Sequence, residues 1–209
     1  MPFSDEVAPV VLVSSRDDWN NEFVSLALAL RRLNIADYGA IEHVGSTSVP
    51  GLFAKDVIDV QIRVPHFEEE RVIAKFSEIG FRCRPEPWNN LESTRTGLVA
   101  KLVFAPPVGA RRSNVHVRID GTKGARDTLL FRDFLNEDHL ERDAWSRFKL
   151  SLVEGDNEID LSTYGQEKQP AWTRLMESAD VWAKVRNWFP SPLTSWSMLD
   201  FTFDSQIAK

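Results

Sequence analysis

Cysteine is almost missing from this chain of 209 residues: Cys83 is the only one. An internal disulfide and a zinc site built on several thiolates are therefore excluded. Surplus positive charge is missing too. Lys and Arg number 25 against 31 Asp and Glu, a net charge of −6. That argues against a general nucleic-acid-binding surface but leaves room for a local basic pocket. No apolar run approaches the roughly 20 residues of a membrane-spanning helix. The opening MPFSDEVAPVVLV has neither the basic stretch nor the apolar stretch of a secretory signal. Repeats and low-complexity segments are absent. So are GxGxxG, HExxH and GxSxG, and Lys55 is followed by Asp56, so no Walker A loop is present. These absences lead to the expectation of a cytoplasmic protein without membrane contact.

What is present suits a packed domain. Hydrophobic residues make up 43%, with seven Trp and thirteen Phe. The expected organisation is one domain over residues 1–189, sheet-rich over about 10–120 and helical over about 125–189. A Pro- and Ser-containing tail follows over 190–209 and is expected to lie across the domain or to reach a homodimer mate or another protein. Val10 to Val13 reads as a strand. Trp19, Phe23, Leu26, Leu30 and Leu33 recur at helical spacing. Ile41 to Val44 reads as a strand stopping at Gly45, and Phe81 to Arg84 as another. PEPWNNLESTRTG reads as a turn-rich loop. Leu98 to Phe104 and Val115 to Asp120 read as strands. Helices are expected over about Asp127 to Asn136, Asp138 to Val153 and Ala171 to Phe189, the second with Leu140, Ala144, Phe148 and Leu152 on its inner face. The class is α+β, a mixed sheet packed on helices with a helical C-terminal part.

The chemistry concentrates on the polar faces of two strands. Alternation in VIDVQIRV puts Asp59, Gln61 and Arg63 on one side, and in NVHVRID it puts Asn114, His116, Arg118 and Asp120 on one side. With both apolar faces on helices, Asp59 and His116 share the open side, and Lys101 joins them. A solvated sheet face explains such alternation equally well. Gly45, Ser46 and Thr47 form a turn whose backbone N–H groups and hydroxyls suit an anion. Lys55, Arg63, Lys101, Arg112 and Arg118 supply cations for phosphate or carboxylate. His116 titrates near neutrality when unperturbed and suits general acid–base work. His43 reads as a packed histidine, Arg132 and Asp133 as a structural ion pair, and Trp172, Trp182 and Trp188 as packing. Tyr164 and Lys168, four apart, suit one helix face lining the pocket.

The order IEHVGSTSVPGLFAKDVIDVQIRV, NVHVRI, LLFRDFL, YGQEK, ADVWA resembles the GrpB family, an uncharacterised family (UPF0157) with a nucleotidyltransferase-type fold of the DNA polymerase beta kind. The resemblance implies phosphate binding at Gly45, Ser46 and Thr47, and a catalytic and metal-holding centre at Asp59 and His116. It places Lys55, Tyr164 and Lys168 beside them. It further implies a nucleoside triphosphate as a substrate, Mg²⁺, Mn²⁺ or Zn²⁺ as a cofactor, and transfer of a nucleotidyl group to a small molecule. The same resemblance implies an alternative, a folding-accessory module like the domain fused to dephospho-CoA kinase in some bacteria. Gln61 stands where active relatives of that fold carry a second carboxylate. The chain also departs from the family at Asp56, in place of Pro, and at Arg16-Asp17, in place of Tyr-Asp.

Overall fold

A computed structural model describes residues 3–94, 97–154 and 158–195. Helix α1 (Trp19–Arg31) precedes strand β1 (Tyr38–Val44), a single 3-10 turn (Ser46–Ser48) and β2 (Ile58–Val64). Then come α2 (Glu69–Glu78), β3 (Arg82–Cys83), α3 (Pro87–Asn90), β4 (Leu91–Thr94), β5 (Gly97–Ala105) and β6 (Ser113–Ile119). Helices α4 (Lys123–Glu137), α5 (His139–Ser151) and α6 (Leu161–Arg186) follow, and β7 (Thr194–Ser195) closes the described chain. The sheet runs β3-β5-β6-β2-β1-β7, with β4 also pairing with β5. Only β2 and β6 run parallel. The mixed α+β class read from the sequence is the observed one.

Side-chain alternation divides the sheet into two unlike faces. One is apolar: Ile58, Val60, Ile62 and Val64 of β2 and Val115 and Val117 of β6 pack with Trp19, Phe23 and Leu30 of α1 and with Val72 and Phe76 of α2. The other carries the polar residues and lies against the helical part, whose own core joins Leu130, Phe131 and Phe134 of α4 to Trp145 of α5 and Leu175, Met176 and Ala179 of α6. This face is therefore roofed rather than open, which corrects the expectation of a solvent-facing side. Gln61 and Arg63 are fully buried. Gln61 Nε2 donates to the Ala125 carbonyl of α4 at 3.0 Å. Arg63 donates to Glu42 at 2.7 and 2.8 Å, to Asp120 at 2.6 Å and to the Ser191 carbonyl at 2.8 Å.

Local differences from the sequence reading have local causes. The Val10–Val13 strand reduces to one bridge, Val13 to Ala54. The expected loop at 85–97 instead holds α3 and β4, because Pro87 starts a helix well and Leu91–Thr94 find a partner in β5. Helix α6 begins ten residues before Ala171. Pro170 reads as a breaker, yet the Asp160 side chain caps the Ser162 and Thr163 amides at 2.7 and 3.0 Å and the buried Tyr164 anchors the first turn. Leu140 of α5 is 71% exposed, and the buried face is set by Trp145, Ser146 and Lys149. The start of the tail joins the sheet edge, pairing Ser195 with Tyr38 and Thr194 with Gly39. The remainder, 196–209, lies outside the described residues.

Arg63 holds two acids, Glu42 only 10% exposed and Asp120 36% exposed, and is itself buried. Removing one member of such a group strands the charge of the other. Arg63→Ala should therefore lose about 3–5 kcal/mol in urea unfolding, while Lys75→Ala, which breaks the exposed pair with Glu78, should change stability by less than about 0.5 kcal/mol. Equal small losses would show that the Arg63 group does not organise the sheet.

Candidate functional site

Strand β1 ends at Val44, opposite Asp59 in the antiparallel register. Gly45 then turns away with φ +72°, and a Cβ at this position would lie 2.5 Å from Asp59 Oδ2. Both the left-handed backbone and the approach of the carboxylate require glycine here. Within the turn, Ser48 Oγ donates to the Gly45 carbonyl at 2.7 Å. Thr47 Oγ1 donates to the Val57 carbonyl at 3.2 Å and lies 3.0 Å from His43 Nε2. With its proton spent on Val57, Thr47 accepts from His43. Thr47 thus fastens the turn, and its hydroxyl is not free for a ligand. His43 stacks on Phe23 at 4.8 Å, and burial holds its pKa down at about 4, so it is the neutral packed histidine expected.

Asp59 is fixed from the neighbouring strand. The β2–β6 register sets it opposite Asn114, whose Nδ2 donates to Asp59 Oδ1 at 2.9 Å. Asn114 Oδ1 accepts from Arg84 at 3.0 Å, and Arg84 clasps Glu6 at 2.9 and 3.1 Å. This four-residue chain runs from the N-terminal segment to the centre. Desolvation raises the Asp59 pKa, opposed by Asn114, Lys55 and Lys168. His116, two residues along β6, is pushed down to about 3 by burial and then by Arg118 and Lys101, so its imidazole is neutral. Its Nδ1 is buried without a partner.

These groups floor a cavity of about 340 Å³. Phe131, Trp145 and Trp172 make an aromatic wall, with the Phe131 and Trp172 rings 4.9 Å apart. Lys55, Lys149 and Lys168 enter the same cavity. Lys55 and Lys168 both lie over the Tyr164 ring, at 5.9 and 5.6 Å. Lys149 is 2% exposed and donates to Ser46 Oγ at 3.1 Å and to the Phe53 carbonyl. Burial, then the charges of Lys168 and Lys55, drive its pKa down to about 7. Burial also lowers Lys55 and Lys168 and lifts Tyr164 to about 12.

Of the residues singled out in the sequence, Gly45, Ser46, Thr47, Lys55, Asp59, His116, Arg118, Tyr164 and Lys168 line this cavity. Four do not. Gln61 is sealed under α4, and Arg63 is consumed by Glu42 and Asp120. Lys101 faces Arg118 across the β5–β6 register, and Arg112 belongs to a neighbouring cavity. Arg118 is itself bound to Glu92. The cation that sequence reading overlooked is Lys149. A helix face drawn through Trp145 and Lys149, four apart, would have found it. Asp56 is held by Arg16 at 2.7 Å, Trp19 Nε1 at 2.7 Å and Arg111 at 2.5 Å. The two departures from the family pattern therefore meet each other. Arg132 pairs with Asp133 at 2.6 Å and donates to the His43 carbonyl, while Asp133 accepts from Trp188, as a structural pair should.

The fit to a divalent cation is poor. Among the described residues Asp59 is the only carboxylate in the cavity lining, which it shares with three lysines, whereas Mg²⁺ and Mn²⁺ prefer clustered carboxylate or phosphate oxygen. Among the described residues no group of three or more His, Cys, Asp or Glu gathers to hold a metal.

Residues 9–178 match the model of the GrpB protein family. The chain belongs to the GrpB family. A UPF0157 protein of Pseudomonas aeruginosa is 34% identical over 162 residues, covering 77% of this chain and 64% of that one. A dephospho-CoA kinase of Mycolicibacterium paratuberculosis is 29% identical over 200 residues, covering 88% of this chain and 49% of the kinase. The chain thus spans about half the length of that kinase. The crystal structure of the conserved protein GrpB from Enterococcus faecalis superposes with a TM-score of 0.66 at 24% identity, over 81% of this chain and 96% of that one, which establishes the GrpB fold. Among the described residues no helix is long and apolar enough to cross a membrane.

The depressed Lys149 makes a signed prediction for this GrpB chain. Between pH 7 and 10 the unfolded lysine holds a proton that the folded one has lost, so stability rises with pH in that window. One proton corresponds to a slope of about 1.4 kcal/mol per pH unit. In Lys149→Met that slope should be smaller by about this amount, measured by denaturant unfolding from pH 7 to 9. Parallel curves for the two proteins would place Lys149 at an ordinary pKa.

Proposed function

We propose that this GrpB protein binds a small phosphorylated ligand, with a nucleotide as the leading class. One observation carries the reading: three lysines share a half-closed cavity in which, among the described residues, Asp59 is the one carboxylate. Confining like charges there is unfavourable, and a multiply charged anion relieves it. Ser46 and the Gly45 turn offer hydrogen bonds on the floor, Lys149 recovers its proton as the anion arrives, and the aromatic wall closes one side. Asp59 then acts by shape and hydrogen bonding, fixed by Asn114, with its pKa raised by burial.

The reading stops at binding. Transfer through two metals needs paired carboxylates that balance both ions, and Gln61 lies under α4, outside the cavity. A single Mg²⁺, Mn²⁺ or Zn²⁺ held by Asp59 and His116, with nucleotidyl transfer to a small molecule, is the reading this one displaces. An accessory role is compatible with it. Likeness to part of a dephospho-CoA kinase favours a module working beside a nucleotide-handling enzyme, and a filled pocket would stabilise such a module.

Calorimetry with inorganic triphosphate in EDTA separates these readings. Anion binding predicts that Asp59→Asn binds as tightly as the parent or more so, since a negative charge is removed, while Lys149→Met and Lys168→Ala lose tenfold or more. Binding that requires Mg²⁺ and vanishes in Asp59→Asn would establish a metal-bridged site instead.

A further inference from the structure

A second cavity, of about 490 Å³, adjoins the lysine pocket. His116 and Asn114 border both. The character changes across that boundary. Among the described residues no lysine lines the second cavity, and its one cation, Arg84, is already clasped by Glu6 and bound to Asn114. The remaining surface is Trp88, 63% exposed on α3, facing the cavity together with Val103 of β5 and Leu161 at the start of α6. The exposed indole presents a flat aromatic face at the mouth of this cavity. The elements behind it are well fixed: Asn89 donates to Glu86 at 3.0 Å, and Asp160 caps the turn that carries Leu161. At the boundary, His116 offers a neutral imidazole whose buried Nδ1 has no partner. A buried polar atom of this kind calls for a hydrogen bond.

We propose that this second cavity receives the planar, uncharged heterocycle of the same ligand whose phosphates lie among the lysines, so that one molecule spans both compartments across His116 and Asn114. The inference rests on the anion-site reading and adds the identity of the other end of the ligand. A flat ring with edge heteroatoms matches what the cavity supplies. Trp88 offers a face for stacking, which is tolerant of ring identity. Val103 and Leu161 offer apolar contact, and Asn89 offers an edge hydrogen bond. A second anion does not match, because the only cation there is neutralised.

The test compares inorganic triphosphate with ATP, GTP, CTP and UTP by calorimetry on the full chain, using the parent, Trp88→Ala and Leu161→Ser. Trp88 is mostly exposed, so its removal should leave folding intact, and Leu161→Ser probes the same cavity from another element. At least one nucleotide should bind tenfold tighter than triphosphate. Both variants should erase that advantage while leaving triphosphate affinity unchanged. Four nucleotides no tighter than triphosphate, or an advantage that survives in Trp88→Ala, would overturn the proposal while leaving the anion site standing. Failure of triphosphate itself to bind the parent would overturn both. Additive, independent binding of adenosine and triphosphate would overturn the single spanning ligand in favour of two molecules.

Discussion

The polar faces of β2 and β6 are buried between the sheet and the helices, and every polar group on them must find a partner there. Most of them do. Arg63 is matched by Glu42, Asp120 and the Ser191 carbonyl, Gln61 by the Ala125 carbonyl, Arg118 by Glu92 and Asn114 by both Arg84 and Asp59. These contacts bind the sheet to the helices that follow it and to the N-terminal segment that precedes it. Where the helices draw back, at the Gly45 turn, the matching stops and a cavity remains. The site opens at the end of a polar layer in which Gln61 Oε1 and Arg118 Nε also stay without a partner.

That origin explains the electrostatics. Three lysines enter from the loop before β2, from α5 and from α6, while only Asp59 meets them with negative charge. In solvent the imbalance would be trivial. In a half-closed cavity burial depresses all three lysines, and at Lys149 the charges of Lys168 and Lys55 add to it and bring the pKa close to neutrality. A phosphorylated ligand and such a pocket complement each other without a resident metal. The chain therefore keeps the Gly45 turn and Asp59 at the cavity, while its polar layer buries Gln61 under α4.

Much of this was legible in the sequence. Period-two alternation in VIDVQIRV and NVHVRID placed Asp59 and His116 on one face, and the 3.6-residue period found α1. Gly45, on which a strand ends, and Tyr164 with Lys168, four apart, do line the cavity. What alternation does not reveal is what lies on top of a face. Arg63, Gln61 and Lys101 looked like ligand readers for want of any sign that α4 and Glu42 would claim the space above them. Lys149 escaped because the α5 face was drawn one residue off, through the exposed Leu140. Asp56 and Arg16 were noted separately as departures from the family, and only the folded chain shows them as one ion pair separated by 40 residues.

The account stands or falls on Lys149 as a cation poised at neutrality and answering to an anion. An NMR pH titration of the lysine side chains, with the Lys149 signal assigned through Lys149→Arg, reads this directly. A midpoint near 7 in the free protein, rising by more than one unit on addition of inorganic triphosphate, is the predicted result. A free midpoint near the ordinary 10.5, or a midpoint that triphosphate leaves in place, would contradict it.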